Sequence, residues 1–257
     1  MTTPVVDGFE WMQGPAGRIL QSAQLSGVAR HAFTTRDLEL RGGRSESDYE
    51  RLASLFDRSA AELVTVAQVH GRRVLMVEPG TSLTDRPEAD AIVSLDPDRV
   101  IVVRIADCVP VLLADRRGRA VAAVHAGWRG TSAGVTIAAV QAMADAGVAP
   151  GDVIAAIGPS IGPCCYQVDD RVRTTFLGMT PDAAAWFSED GPGHWRLDLW
   201  QANADQLETA GVDPAAIHVS RFCTADHLDT CFSYRREGSG TGRLAAAIVR
   251  PGNHARK

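Results

Sequence analysis

Short, apolar, β-prone runs dominate the middle of the chain. Residues 91–94, 100–105, 111–114 and 120–125 each read as a strand, and Asp115-Arg-Arg-Gly-Arg119 is a hairpin-like connection between the last two. Strands that follow one another this closely predict a mainly antiparallel or mixed sheet rather than a βαβ array. Upstream, residues 63–69 and 73–78 predict two strands around a turn at His70-Gly71, and residues 79–89, rich in Pro, Gly, Thr, Ser and Asp, predict a loop. Leu52, Leu55 and Phe56, at i, i+3 and i+4, predict a short helix over 49–56. Residues 1–30 hold an apolar patch without a clear motif, residues 31–36 are β-prone, and residues 41–48 form a polar, glycine-containing loop.

After Thr131 the period becomes helical. Val135, Ala138, Ala139, Ala142, Met143 and Ala146 share one face, Thr131 or Ser132 is placed to cap the first turn, and Gly147 falls where a C′ glycine belongs. Residues 153–157 predict a strand that runs into Gly158-Pro-Ser-Ile-Gly-Pro-Cys-Cys-Tyr166, a loop whose prolines offer no N–H. A helix is expected over 168–177, no regular pattern over 178–193, and a second helix over 199–210, capped by Asp198 and ended by Gly211. Residues 217–220 and 244–249 predict strands, the last reached through a glycine-rich loop at 238–242. Without repeats, a low-complexity linker or a charge block, one α/β domain over 1–257 is the economical reading.

Composition narrows the class. At 257 residues and 45% hydrophobic, the chain has ample material for a core, and its net charge of −5 argues against a general nucleic-acid binder. No apolar run approaches the roughly 18 residues that a membrane span needs. The first residues lack a basic segment followed by a long apolar core. The five cysteines are an odd number and read as reduced thiols, some free for metal or reactive roles. A cytoplasmic protein without membrane or nucleic-acid partners is expected.

Chemistry gathers at strand ends. Asp107 precedes Cys108 and Pro110 follows it, so the chain must break or bulge there. His125 ends its strand just before the turn Ala126-Gly127-Trp128-Arg129-Gly130, and His70 sits in a turn of its own, with Gln68 placed to orient it or to touch a ligand. One thiolate and two imidazoles suit a zinc-sized cation with a fourth position left open. The plainer alternative is a buried small thiol, a satisfied core histidine and a turn residue. Cys223, His227 and Cys231, at i, i+4 and i+8, are a rival set, but Thr224 and Asp226 make that segment turn-like, and ordinary loop thiols are favoured. A disulfide between the adjacent Cys164 and Cys165 would be strained. One of the pair, with Cys165 carried as the candidate, is either a reactive or substrate-contacting thiol or a small residue packed beneath a tight turn. Arg36, Arg129, Arg235, Arg236 and Arg243 lie in or beside loops, where guanidinium groups suit phosphate or carboxylate; solvated surface charge is the alternative. Residues 239–243 lack the order of a P-loop.

Six motifs, in order, resemble the YfiH family: Gln68-Val-His-Gly71, Ala89-Asp-Ala-Ile-Val-Ser94, Ala106-Asp-Cys-Val-Pro-Val111, Val124-His-Ala-Gly-Trp-Arg-Gly130, Ile157-Gly-Pro-Ser-Ile-Gly-Pro-Cys-Cys-Tyr166, and Phe232-Ser-Tyr-Arg-Arg236 with Thr241-Gly-Arg243. The match spans about 33–249. Members of that family have been described as polyphenol oxidoreductase or laccase-domain proteins and as purine nucleoside phosphorylases. The resemblance implies a single-domain, four-layer α/β/β/α fold with a mixed sheet core, and a metal held by His70, Cys108 and His125, zinc first and copper as the alternative. It further implies phosphorolysis of adenosine, inosine, guanosine and methylthioadenosine, with phosphate as co-substrate, together with adenosine deamination. One departure stands out: Phe33-Thr-Thr-Arg36 is followed by Asp-Leu-Glu-Leu, and Gly42-Gly43 arrive late without the family's Asn-Leu segment.

An open-site zinc lowers the pKa of bound water toward about 7, which suits attack at C6 of adenosine. Phosphorolysis instead requires phosphate held against C1′ of the ribose, with Arg36 and the Arg235, Arg236 and Arg243 group as candidates. Asp107 is a candidate to orient a metal ligand or relay a proton, or it caps a turn. Two rivals remain. A copper-dependent phenol oxidase would need more histidines than one His/Cys/His site supplies, and the chain has seven in all. A cytoplasmic amidase editing peptidoglycan precursors would use the same metal chemistry.

Overall fold

The computed structural model describes residues 5–41, 46–82 and 86–252. Gly42 and Gly43, where the family pattern breaks, lie outside the described residues. The N-terminal half contributes β1 (Phe9–Gly14), β2 (Gly17–Ser22), α1 (Ala23–Ser26), β3 (Arg30–Thr34), α2 (Glu46–Ser54), β4 (Leu63–Thr65), β5 (Val74–Val77), β6 (Ala91–Ser94), β7 (Val100–Ile105), β8 (Val109–Asp115) and β9 (Val121–Ala126). There follow α3 (Trp128–Ser132), α4 (Val135–Asp145), β10 (Val153–Ile157), β11 (Gln167–Asp169), α5 (Asp170–Leu177), β12 (Phe187–Glu189) and β13 (His194–Leu197). The chain closes with α6 (Leu199–Thr209), β14 (Ile217–Val219), α7 (Tyr234–Glu237) and β15 (Leu244–Val249).

Two six-stranded mixed sheets run in the orders β1-β2-β3-β15-β7-β4 and β14-β10-β8-β9-β6-β5, and a small third sheet runs β11-β13-β12. Side chains alternate faces along a strand, so residue parity assigns the layers. Along β8, Val109, Val111 and Leu113 join a cluster with Val135, Ala139, Val140 and Met143 of α4 and Leu199 and Leu207 of α6, whereas Leu112 and Ala114 point the other way. That second cluster also takes Ile101, Val103, Leu244, Ala246 and Ile248, so it lies between the two sheets. Val100, Val102, Ala245 and Ala247 form a third cluster, closed by Leu52 and Phe56. The order is therefore α2, first sheet, second sheet, then α4 with α6. Sheets covered on both faces require continuous apolar strands, which is why β6 to β9 lack polar alternation.

Several local expectations give way. Residues 63–69 and 73–78 do not form one hairpin: β4 pairs parallel with β7 in the first sheet, and β5 pairs parallel with β6 in the second. The turn at His70 carries the chain between sheets. Neither Thr131 nor Ser132 caps α4, because both belong to α3; Gly134, at φ +79°, starts α4. The buried face of α4 takes in Val140 and Thr136, with Ala138 and Ala142 only half-buried. Val168 is a strand residue opposite Trp195, and Asp169 accepts the cap bond that begins α5. Residues 9–22 form a regular hairpin, β1 with β2. Among the described residues, no helix is long and apolar enough to cross a membrane.

Candidate metal centre

The β8–β9 hairpin does most of the assembly. Its register sets Val109 opposite Ala126 and Pro110 opposite His125, so Cys108 emerges beside the exit of β9. There the chain continues through Gly127, where a Cβ would stand 2.8 Å from the Cys108 sulfur and 3.1 Å from His70 Cδ2. Only glycine leaves room for these side chains. The third participant arrives from the inter-sheet turn, where His70 holds φ +61°. Asp90, at the entry to β6, fastens this turn: its carboxylate accepts N–H bonds from Val69 (3.3 Å), His70 (2.9 Å) and Gly71 (2.6 Å). The same carboxylate accepts from His125 Nδ1 at 2.9 Å, which assigns the proton to Nδ1 and turns Nε2 toward Cys108.

The ligand atoms of His70, Cys108 and His125 all lie within 4.8 Å of one another, with Cys108 Sγ 3.9 Å from His70 Nε2. Bonds of about 2.3 Å to sulfur and about 2.0 Å to nitrogen at a tetrahedral angle separate the two donors by about 3.5 Å, so the set fits a zinc-sized ion with little movement. Without an ion, the charges interlock. Burial would push the Cys108 thiol up, but the His125 charge and hydrogen bond, with His70, outweigh it and bring its pKa to about 6. Burial would lower His125, yet the Cys108 thiolate and the Asp90 hydrogen bond raise it to about 9. Burial also acts to raise Asp90, and the bonds from His125 and Gly71 overcome it, keeping the carboxylate ionised.

This trio forms one wall of a cavity of about 720 Å³. Arg41, Arg104 and Arg243 stand on the lining as well, with Trp128, Ile161, Tyr166 and Leu199 supplying flat or apolar surface. Burial first, then the charges of Arg41 and Arg104, lower the pKa of Arg243, so three cations crowd together. The Nε of Arg104 is buried with no hydrogen-bond partner among the described residues. Such a group is complementary to an anion. Burial, then the Cys108 charge, raises the Tyr166 pKa, leaving its phenol a donor.

Of the arginines named from sequence, Arg129, Arg235 and Arg243 reach the cavity lining, and Arg36 and Arg236 do not. Arg36 donates to the Leu228 carbonyl, pairs with Glu237 at 3.0 Å and lies over the Phe232 ring. Arg236 donates to the Ala225 carbonyl at 3.1 Å and approaches Cys165 Sγ at 3.6 Å. Cys165 is likewise off the lining, beside Cys164 and Cys223. Asp107 lines the cavity, but its carboxylate is spoken for by Thr224 Oγ1 (2.6 Å), Ser233 Oγ (3.1 Å) and the Arg235 N–H (2.6 Å), a loop anchor rather than a partner of the ligands. Gln68 does not orient His70: it stands on the cavity lining, and its amide exchanges two hydrogen bonds with the backbone of Arg104. The rival set dissolves, since His227 stacks on Phe222 at 4.2 Å and Cys231 joins the inter-sheet core. Asp90, Gly127, Arg41, Arg104 and Tyr166 carry no role in the sequence reading, although Asp90, Gly127 and Tyr166 fall within its motifs.

The fold and this centre define an α/β protein with a His/Cys/His set, able to hold a metal ion, on an arginine-lined cavity. The sequence pattern of the family described as multi-copper polyphenol oxidoreductase laccase matches residues 19–251, and the chain belongs to that family. Purine nucleoside phosphorylase YlmD of Geobacillus stearothermophilus is 34% identical over 237 residues, covering 87% of this chain and 86% of its own. Purine nucleoside phosphorylase YfiH of Escherichia coli is 34% identical over 245 residues, covering 93% and 96%. The crystal structure of Bacillus licheniformis hypothetical protein YfiH matches with a TM-score of 0.86 at 26% identity, over 95% of this chain and 99% of that one.

Proposed function

We propose that this chain is a zinc-dependent purine nucleoside phosphorylase that also deaminates adenosine, working in the cytoplasm on free nucleosides and phosphate. The observation that carries the reading is that the His70, Cys108, His125 set and the Arg41, Arg104, Arg243 group line one cavity of about 720 Å³. The names of the YlmD and YfiH relatives support the phosphorylase part of this reading. Five free thiols suit a reducing compartment.

The donor set of one sulfur and two nitrogens suits zinc, with one position left for a ligand. When bound, the ion supplies a Lewis acid facing the cavity. The chain's own residues do the rest. Arg41, Arg104 and Arg243 neutralise and orient phosphate so that one of its oxygens attacks C1′ as the C1′–N9 bond breaks. Trp128, Ile161 and Leu199 offer the base an apolar seat, and the protonated Tyr166 phenol donates a hydrogen bond to the departing purine. Asp90 keeps His125 in the tautomer whose Nε2 is free to ligate. Phenol oxidation by a multi-copper relay fits less well, because only two histidines converge here among the described residues.

The test is chromatography of products from adenosine and inosine with zinc-loaded protein. Adenine plus ribose 1-phosphate, or hypoxanthine plus ribose 1-phosphate, formed only with phosphate, is the expected result; inosine from adenosine without phosphate reports deamination. Intact nucleosides in every condition would overturn the proposal.

A further inference from the structure

A second group of ligating side chains lies outside the cavity lining. The sulfurs of Cys164, Cys165 and Cys223 all sit within 4.8 Å of one another, and those of Cys164 and Cys165 are 3.6 Å apart. A three-coordinate ion with metal–sulfur bonds of about 2.3 Å holds its sulfurs about 4.0 Å apart, inside this range. Cys164 is exposed, Cys165 half-buried and Cys223 buried, so the group has a floor and an entrance.

The scaffold brings the three together before any ligand arrives. Ser160 N–H donates to the Phe222 carbonyl at 3.1 Å and Thr224 N–H to the Ser160 carbonyl at 3.0 Å, strapping the 158–166 loop to the segment that bears Cys223. Gly162 N–H donates to the Cys223 sulfur at 3.3 Å, and a Cβ on Gly162 would collide with Trp200 at 2.4 Å, so the loop is seated against a rigid ring. Cations surround the pair from outside. Arg236 stands 3.6 Å from Cys165 Sγ, while Arg196 donates to the Cys164 carbonyl at 2.9 Å and Arg235 to the Cys165 carbonyl at 3.4 Å.

We propose that Cys164, Cys165 and Cys223 form a second metal site, one that takes the soft monovalent ion Cu+. An all-thiolate donor set with no imidazole or carboxylate selects soft ions, whereas zinc prefers a fourth ligand and finds nitrogen donors at His70 and His125. Three thiolates around a single positive charge leave the complex anionic, and Arg236, 3.6 Å from Cys165 Sγ, offsets part of that charge. The site is independent of the phosphorylase reading, since none of its sulfurs belongs to the cavity lining.

The experiment is anaerobic titration of reduced protein with Cu+ against a bicinchoninate competitor. A His70→Ala/His125→Ala variant removes the other centre from the count. That variant is expected to retain one Cu+ per chain, with only sulfur neighbours in X-ray absorption, and to lose it when Cys164→Ser is added. Cys231→Ser, a thiol outside the group, is expected to leave retention intact. In the unmodified chain, Cu+ is expected to protect Cys164 from iodoacetamide, read by mass spectrometry, which tests the site even where a variant folds poorly. No Cu+ retained by the double variant, retention unchanged by Cys164→Ser, or Cys164 alkylated equally with and without Cu+ would each overturn the proposal.

Discussion

Replacing Asp90 by asparagine keeps the side-chain volume and removes one acceptor face. The native carboxylate receives four donors, His70 N–H and His125 Nδ1 on one oxygen and Val69 and Gly71 N–H on the other. An amide has a single oxygen, so either orientation points an NH2 group at two donors. Facing Val69 and Gly71, it opens the inter-sheet turn; facing His125, it drives the proton to Nε2 and blocks that ligand. A buried donor left without its acceptor costs about 1–3 kcal/mol, and with the 3.3 Å Val69 contact counted as weak, the loss comes to about 2–4 kcal/mol. For a chain of this size that lowers the melting temperature by roughly 4–16 °C. Misdirected ligand support typically weakens metal binding about 10- to 100-fold. Melting in excess chelator isolates the first effect, and competition for zinc with a chromophoric chelator isolates the second. Asp90→Asn protein that melts within about 1 °C of the unmodified chain and binds zinc within about twofold of it would refute the reasoning.

Arg104→Met is expected to raise the KM for phosphate about tenfold or more, a charge-assisted hydrogen bond being worth about 1.5–3 kcal/mol, with the KM for inosine unchanged; equal rises in both would remove Arg104 from phosphate binding. In the metal-free protein Cys108 is expected to react with iodoacetamide along a pH profile centred at about 6, since the lowered pKa leaves thiolate at neutral pH, and a midpoint near 9 would contradict the thiolate–imidazolium pair. Burial holds neutral His31 at a pKa of about 4, below the 6.5 of the unfolded chain, so its contribution of about 3 kcal/mol is complete above about pH 6.5 and is lost as pH falls toward 4. Denaturant titrations of His31→Gln should show a flatter dependence over that window, and an unchanged slope would be the contrary result. In Gly158→Ala a new Cβ meets Phe33 Cε1 at 2.2 Å, and such overpacking is expected to cost about 1–3 kcal/mol by denaturant unfolding; undiminished stability would mean that the ring gives way freely.

What could be read in advance was local. Asp115-Arg-Arg-Gly-Arg119 between two apolar runs announces a hairpin whose register follows from its length, and that register alone places Cys108 beside His125. The cap at Asp198 and the glycine at 211 are equally local, and the structure has both. The partners of His70 were not legible, because nothing within its own segment tells that the chain there changes sheets and folds its amides around a carboxylate twenty residues on. Arg104 lies inside an apolar strand, and nothing in that strand tells that it shares the cavity lining with Arg41 and Arg243, far from it in sequence. Helical spacing grouped Cys223 with His227 and Cys231, yet the segment bends, with Asp226 N–H returning to the Cys223 carbonyl and Cys231 N–H to the His227 carbonyl. The third thiol of the cysteine group therefore comes from a strand-like bridge between Ser160 and Cys223 that no periodicity encodes.

Backbone strain explains why the centre needs so many carboxylate anchors. Among the described non-glycine residues with positive φ are His70 at +61° and Asp107 at +82°, one a candidate ligand and the other the residue before Cys108. Each left-handed residue costs roughly 1–2 kcal/mol, so neither geometry persists unless the surroundings impose it. At His70 the three amides bound by Asp90 impose it, and at Asp107 the residue's own buried carboxylate does so through Thr224, Ser233 and Arg235. Both anchors consist of protein–protein hydrogen bonds that form with the fold and owe nothing to an ion. The three donors are therefore placed without an ion, and the free energy of binding a metal would go into affinity rather than into ordering the chain, unlike a zinc finger that folds only around its metal.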